Sequence, residues 1–117
     1  MSDIQRLHVG KRMCEAAIHN GVVYLAGQVA DDPSKDISGQ TAEVLAAIDG
    51  LLAEAGTDKT RMLQVQIFLS DISLFGAMNA VWDAWVPQGH SPARATVEAR
   101  LARPEYKVEI KVIAALK

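Results

Sequence analysis

Apolar residues recur with a period of two in three stretches of this chain, a pattern typical of half-buried β-strands. These stretches are residues 62–69, 93–101 and 107–115. Two apolar runs near the N-terminus, residues 13–18 and 22–26, flank Asn20-Gly21, and Asn-Gly between apolar runs favours a two-residue hairpin turn. Residues 3–9 are expected to form a short first strand. The pattern therefore predicts six strands, the second and third joined as a hairpin.

Two other stretches repeat their apolar residues with the 3.6-residue period of an amphipathic helix. The first begins near Ser38, and Gly56 ends it, as glycine commonly does after a helix. The second is capped by Asp71 or Ser73 and ends at Pro87. The apolar stripes are Val44, Leu45, Ile48, Leu51, Leu52 and Ala55 in the first helix, and Phe75, Met78, Val81, Trp82, Trp85 and Val86 in the second.

The resulting order, β-β-β-α-β-α-β-β, predicts the α+β class. Two amphipathic helices packed on one face of a mixed sheet would bury both stripes. The length of 117 residues predicts a single domain covering residues 1–117. Trp82 and Trp85 lie on the apolar stripe of the second helix, so we expect them to fill the core.

The last two strands carry the charged residues of greatest interest. The sheet face away from the helices is expected to carry Arg94, Thr96 and Glu98, and we expect the two strands to form a hairpin joined around residues 103–105. Glu109 joins them there in the natural hairpin register. Arginine binds a carboxylate through two parallel hydrogen bonds, and a nearby glutamate can manage a water or a proton. The alternative is a solvated strand face with scattered charges, which antiparallel sheets often show.

Two further residues have both a structural and a functional interpretation. Asn79 lies in the second helix, either as an exposed position or as an amide that supports a site from behind. Gly27 ends the third strand, where glycine lets a strand bend or lets a backbone N–H approach a ligand. These patterns alone do not choose between the interpretations.

Composition and charge narrow the function classes. The chain is 50% hydrophobic and 22% charged, as globular domains are, and its net charge of −2 gives no basic surface for nucleic acid. The three histidines, His8, His19 and His90, match no zinc-ligand spacing, so we expect no metal.

The compartment is predicted from what the sequence lacks. No apolar run approaches the roughly 18–20 residues that span a bilayer, and the N-terminus has no signal-peptide pattern. Cys14 is the single cysteine, so no internal disulfide forms, and a reducing cytoplasm is the simplest expectation.

Together these segments resemble the RidA (YjgF/YER-type) family, once known as L-PSP endoribonucleases. The resemblance covers nearly the whole chain and rests on an ordered set of short pieces. They are residues 20–28 (Asn-Gly-Val-Val-Tyr-Leu-Ala-Gly-Gln), Gln40-Thr41, Glu54-Ala55-Gly56, residues 68–71 with Phe75, Met78 and Asn79, then Pro92-Ala93-Arg94 and Val108-Glu109-Ile110.

The resemblance implies a chorismate-mutase-like α+β fold and a homotrimer with three clefts between subunits. The polar sheet face would then be the interior of the trimer. Active members of the family hydrolyse reactive enamine and imine intermediates, such as 2-aminoacrylate, to 2-keto acids and ammonia without a cofactor. The partners implied are therefore a small carboxylate substrate and other copies of the chain.

Site residues carry over from the resemblance position by position. Arg94 corresponds to the arginine that binds the substrate carboxylate, and Glu109 to the glutamate that orients a water. Gly27 corresponds to a backbone contact with substrate, and Asn79 to an amide near the cleft.

Three substrate-contacting positions depart from the family pattern. Met13 stands where active members usually have tyrosine, Ala26 where they have serine, and Thr96 where they often have cysteine. Because Met13 and Ala26 remove polar groups, they favour an alternative, a trimer that binds small carboxylates as a regulator or acts like a chaperone. A third reading, ribonuclease, is opposed by a pI near 5.9 and by the lack of a basic stripe.

Overall fold

A single six-stranded sheet with two helices forms the fold in the computed structural model, which describes residues 3–117. The order of elements along the chain agrees with the prediction, and the strand order within the sheet is β1-β2-β3-β6-β4-β5. The elements are β1 (Gln5–Leu7), β2 (Ala16–His19), β3 (Val22–Leu25), α1 (Ile37–Ala55), β4 (Met62–Leu69), α2 (Phe75–Trp85), β5 (Ala93–Glu98) and β6 (Val108–Ala115).

Local signals placed most of these boundaries correctly. Asn20 and Gly21 have positive φ angles of 51° and 78°, as the central residues of a type I′ turn do. The carboxylate of Asp36 accepts a hydrogen bond from the backbone N–H of Gly39, so α1 begins one residue before Ser38. Gly56 takes the left-handed conformation, with φ 93°, and ends α1 as predicted.

The core lies between the two helices and one face of the sheet. The buried residues of β4 and β6 alternate with more exposed ones, so each strand turns one face to the helices. Helix α1 packs against α2 and against β2, β3 and β6. The fully buried residues include Val23, Val44, Ile48, Leu52, Ile67, Leu69, Met78, Val108 and Ile110.

The predicted hairpin between the last two strands is wrong. Strand β6 lies between β3 and β4 and is antiparallel to both, whereas β5 runs parallel to β4 at the edge of the sheet. Helix α2 connects β4 to β5, and a helical crossover returns the chain to the same end of the sheet, which makes the two strands parallel. Strand β6 is buried at every second residue and lies in the interior of the sheet, while β5, with no fully buried residue, lies at the edge.

Candidate functional site between opposite faces of the sheet

Arg94 points toward the helices, because it lies on β5 beside Val65 of β4. Neighbours in register on parallel strands point to the same side, and Val65 is only 1% exposed beneath the helix layer. The guanidinium carbon lies 5.2 Å from the ring centroid of Trp82 and 5.8 Å from that of Phe75, both on α2. The expectation that Arg94 faces away from the helices is therefore corrected.

The guanidinium of Arg94 carries its charge without a close anionic partner. Within residues 3–117 it forms no ion pair, since every ion pair found there involves other residues. Burial lowers the pKa of Arg94, and the more distant charge of Asp83 opposes that shift. Arginine still stays protonated at neutral pH. Its donors are thus available to an anion from outside the chain.

Thr96 and Asn79 lie on the same side as Arg94. Thr96 is two residues further along β5, in register with Ile67, and its buried hydroxyl has no hydrogen-bond partner among the described residues. Asn79 is half-buried on α2, one helical turn after Phe75. We refer to Arg94, Thr96 and Asn79, together with Phe75 and Trp82, as the Arg94 cluster.

Glu109 lies on the opposite face of the sheet. It is in register with Phe68 of β4, and its neighbour Ile110 is the residue that points into the core. The Glu109 carboxylate lies where a side chain on Gly27 would be: a Cβ there would overlap Oε2 and come within 2.9 Å of Cδ. Only glycine leaves this space. We refer to Glu109 and Gly27 as the Glu109 cluster.

Ala26 directly precedes Gly27, and Met13 lies in the segment before β2. The backbone N–H of Ala26 donates to the carbonyl of Glu15 at 2.9 Å, which ties the end of β3 to the segment before β2. Met13 lies two residues before Glu15, and its side chain is 52% exposed. Neither residue presents a side-chain polar group.

Sequence reasoning missed the part that three residues play in or beside these clusters. Phe75 and Trp82 were assigned only to the core, although they lie seven residues apart and so share one face of α2, beside the arginine strand. Gln28 was read only as the residue after Gly27, yet its amide donates to the Glu15 carboxylate at 2.8 Å and its backbone pairs with Ile110. The i, i+7 spacing of two aromatic residues was the available signal for the first pair.

A single chain does not bring Arg94 and Glu109 together, because they lie on opposite faces of its sheet. A cavity of about 800 Å³ lies elsewhere, at the ends of β4 and β5. Its lining includes Ser70, Glu98, Arg100 and Tyr106.

Residues 3–117 contain neither a helix long and apolar enough to cross a bilayer nor a group of three His, Cys, Asp or Glu side chains able to hold a metal ion.

Known proteins resemble this chain along nearly its full length. Residues 4–116 match the family described as endoribonuclease L-PSP. A RutC family protein from Haemophilus ducreyi is 47% identical over 97% of this chain and 97% of its own length. The RutC family protein YoaB from Escherichia coli is 45% identical over 97% of this chain and 98% of its own length.

A solved structure gives the same answer for the fold. A member of the YjgF protein family from Neisseria meningitidis superimposes with a TM-score of 0.95 and 48% identity, over 98% of this chain and 96% of that chain. The resemblance seen in the sequence segments and the α+β fold class are thereby confirmed. The chain belongs to the endoribonuclease L-PSP family, among whose members are the RutC and YjgF proteins.

Proposed function

We propose that this protein hydrolyses reactive enamine and imine intermediates of the 2-aminoacrylate type to 2-keto acids and ammonia. The observation that carries the proposal is the guanidinium of Arg94: charged, half-buried and without an anionic partner among residues 3–117. A small carboxylate is the ligand best matched to such a group. We place the reaction in the cytoplasm, where the lone thiol of Cys14 stays reduced.

The site proposed here is shared between copies of the chain, because Arg94 and Glu109 occupy opposite faces of one sheet. If β5 of one copy lies against the open sheet face of the next, the two side chains face each other across the interface. Such a head-to-tail contact closes into a ring, and we propose a homotrimer with three equivalent clefts. Exposed apolar side chains support this assembly: Tyr24 is 47% exposed and Val97 is 44% exposed.

Imine hydrolysis requires few protein groups. A protonated imine carbon is already electrophilic, so the site has to hold the substrate, place a water and move protons. Two parallel hydrogen bonds from Arg94 to the substrate carboxylate contribute roughly 1.5–3 kcal/mol. Glu109 orients the water and accepts its proton as the new C–O bond forms. The proton then passes from Glu109 to the nitrogen; as the C–N bond breaks and the carbonyl forms, the hydroxyl proton returns to Glu109, and ammonia and a keto acid leave.

A coupled assay tests the proposal. A serine-dehydrating enzyme supplies 2-aminoacrylate, and pyruvate release is followed against spontaneous hydrolysis. We expect Arg94→Ala to lower kcat/KM by about 30-fold or more, the loss corresponding to the bidentate contact. Arg100→Ala is the matched control, since Arg100 is an exposed arginine outside both clusters. Unchanged turnover in Arg94→Ala with an intact fold would remove Arg94 from the mechanism.

A second candidate function is binding without turnover. Met13 and Ala26 present no polar side-chain group, so the cleft has fewer proton-transfer groups than active relatives are expected to have. Calorimetric titration with 2-oxobutanoate separates the candidates. Binding with no acceleration of imine hydrolysis favours a sensor or regulator of small carboxylates. Ribonuclease action fits less well, because a chain with net charge −2 lacks a basic surface for RNA.

A further inference from the structure

Helix α2 presents two tryptophans, and each lies beside a cation. The ring of Trp82 lies 5.2 Å from the guanidinium carbon of Arg94, and the ring of Trp85 lies 4.8 Å from the ammonium nitrogen of Lys59. The two rings are themselves neighbours, with centroids 5.4 Å apart and planes tilted by 51°. The helix therefore carries two similar cation–aromatic contacts, whose cations differ in what else they bind.

The Lys59 contact is satisfied within the chain. The Lys59 ammonium donates to the backbone carbonyl of Trp85 at 2.7 Å, and the indole N–H of Trp85 donates to Asp49 at 2.9 Å. These bonds connect α2 to α1 and to the turn before β4. Trp85 and Lys59 thus have a structural role, with the ammonium already engaged.

The contact between Arg94 and the ring of Trp82 leaves the N–H donors of the guanidinium available to a ligand. An aromatic ring attracts the flat face of a guanidinium, whereas a carboxylate ligand binds its edge, where the five N–H donors lie. A carboxylate from the chain would occupy that edge and compete with any ligand. An aromatic ring holds the guanidinium in place without using its N–H donors. Trp82 is only 6% exposed and packs in the core, so its position is fixed.

We propose that Trp82 is a positioning residue for Arg94, holding the guanidinium against α2 with its donor edge free for a carboxylate. This inference rests on the proposed function, in which Arg94 binds the ligand. Phe75, with its ring 5.8 Å from the guanidinium and 42% exposed, provides a second aromatic contact. Asp83 favours the charged guanidinium from a greater distance without pairing with it.

Ligand affinity tests the role. We expect Trp82→Leu to weaken 2-oxobutanoate binding by about tenfold, the loss that a partly desolvated cation–aromatic contact corresponds to, and Trp82→Phe to recover most of it. Trp85→Phe is the matched control and should bind like the parent protein. Thermal melts show which variants fold. If Trp82→Leu does not fold, Trp82→Met replaces it, because the flexible methionine side chain fills an irregular space in the core without providing a ring.

Tryptophan fluorescence adds a readout that a merely structural role does not move. The chain has two tryptophans, so each single substitution leaves one reporter. We expect 2-oxobutanoate to change the emission of Trp85→Phe, in which Trp82 is the sole tryptophan, and to leave the emission of Trp82→Phe unchanged. The reverse pattern, or equal affinity losses on substituting either tryptophan, would overturn the positioning role.

Nuclear magnetic resonance of the unliganded protein separates this inference from the function it rests on. An Arg94 Nε–H held over the Trp82 ring has a ring-current-shifted signal that moves in Trp82→Leu but not in Trp85→Phe. Absence of that shift refutes the positioning role. Failure of the parent protein to bind any small 2-keto acid refutes the proposed function instead, whatever the signal shows.

Discussion

The Arg94 cluster and the Glu109 cluster are built in different ways. Arg94 lies on an edge strand, and its guanidinium is placed by contacts with the rings of Trp82 and Phe75. Glu109 lies on a strand with neighbours on both sides, and its carboxylate is placed by the space that Gly27 leaves. The first arrangement fixes a cation by side-chain packing, and the second fixes an anion by backbone proximity.

This difference indicates that the Arg94 cluster serves ligand binding and the Glu109 cluster serves the chemical step. The cation with free donors is suited to binding, because its affinity depends on hydrogen bonds that a ligand completes. The carboxylate set against the backbone is suited to chemistry, because its direction is fixed. Substitutions in the Arg94 cluster should therefore change ligand affinity, and substitutions in the Glu109 cluster should change turnover.

Glu109→Gln separates chemistry from binding. We expect turnover of 2-aminoacrylate to fall by about 100-fold or more, the size of a general-base contribution, because an amide orients water poorly and accepts no proton. Affinity for 2-oxobutanoate should change by less than about threefold. Steady-state kinetics and calorimetry measure the two quantities. Equal losses of turnover and affinity would show that Glu109, like Arg94, binds the ligand, and would contradict separate roles for the two clusters.

Gly27→Ala tests whether backbone proximity places the carboxylate. The new Cβ would overlap Oε2 of Glu109, so the carboxylate has to move, and we expect turnover to fall by about tenfold or more. Gly50→Ala is the matched control, because Gly50 lies at an exposed position of α1 and a Cβ there meets nothing within 4 Å. That control should leave turnover unchanged and stabilise the helix by roughly 0.5–1 kcal/mol. Normal turnover in Gly27→Ala would contradict the arrangement.

Thr96→Val examines a polar group on the Arg94 side. The Thr96 hydroxyl is buried without a partner among the described residues, so replacing it with a methyl group should stabilise the isolated chain by about 1 kcal/mol. If the hydroxyl serves the ligand, affinity for 2-oxobutanoate falls by a few-fold at the same time. Chemical denaturation and calorimetry measure the pair. A destabilised variant would show that the hydroxyl already has a partner in the assembly.

The ion pair between His8 and Glu54 belongs to neither cluster and provides a pH control. The hydrogen bond that the His8 ring donates to the Glu54 carboxylate, followed by the charge of Glu54, raises the pKa of His8 above 6.5 in the folded chain. Its stabilisation is fully present below the unfolded pKa and is lost as pH rises through the raised folded value. Melting temperatures of His8→Gln and the parent protein should differ slightly at about pH 5.5 and converge by about pH 9. A difference that grows with pH would contradict the pair.

Much of the fold could be predicted because its signals are local. Asn20-Gly21 favours one turn type, Gly56 ends a helix, and the stripes of α1 and α2 have the helical period. The pairing of β5 with β4 could not be predicted from local signals. A loop between β5 and β6 suggests a hairpin. The hairpin is excluded only because α2 connects β4 to β5, which places β5 parallel to β4 at the edge of the sheet.

The face of Arg94 could not be predicted either, because alternation along β5 shows which residues share a face but not which face meets the helices. Its identity as a candidate came from chemistry and resemblance, whereas its direction depends on how β5 packs beneath α2, which is a non-local property. The same holds for Trp82, whose apolar spacing correctly indicated burial but not its contact with the guanidinium. The placement of Glu109 against Gly27 likewise depends on a contact between residues 82 positions apart.

In the shared site proposed here, one copy of the chain supplies Arg94 and another supplies Glu109. Mixing Arg94→Ala and Glu109→Gln chains by co-refolding tests it directly, with native mass spectrometry confirming mixed oligomers. In a ring assembled at random from equal amounts, about a quarter of the interfaces pair an intact arginine with an intact glutamate. We predict recovery of roughly 25% of parent activity from two nearly inactive variants. Mixed oligomers with no recovered activity would contradict the shared site.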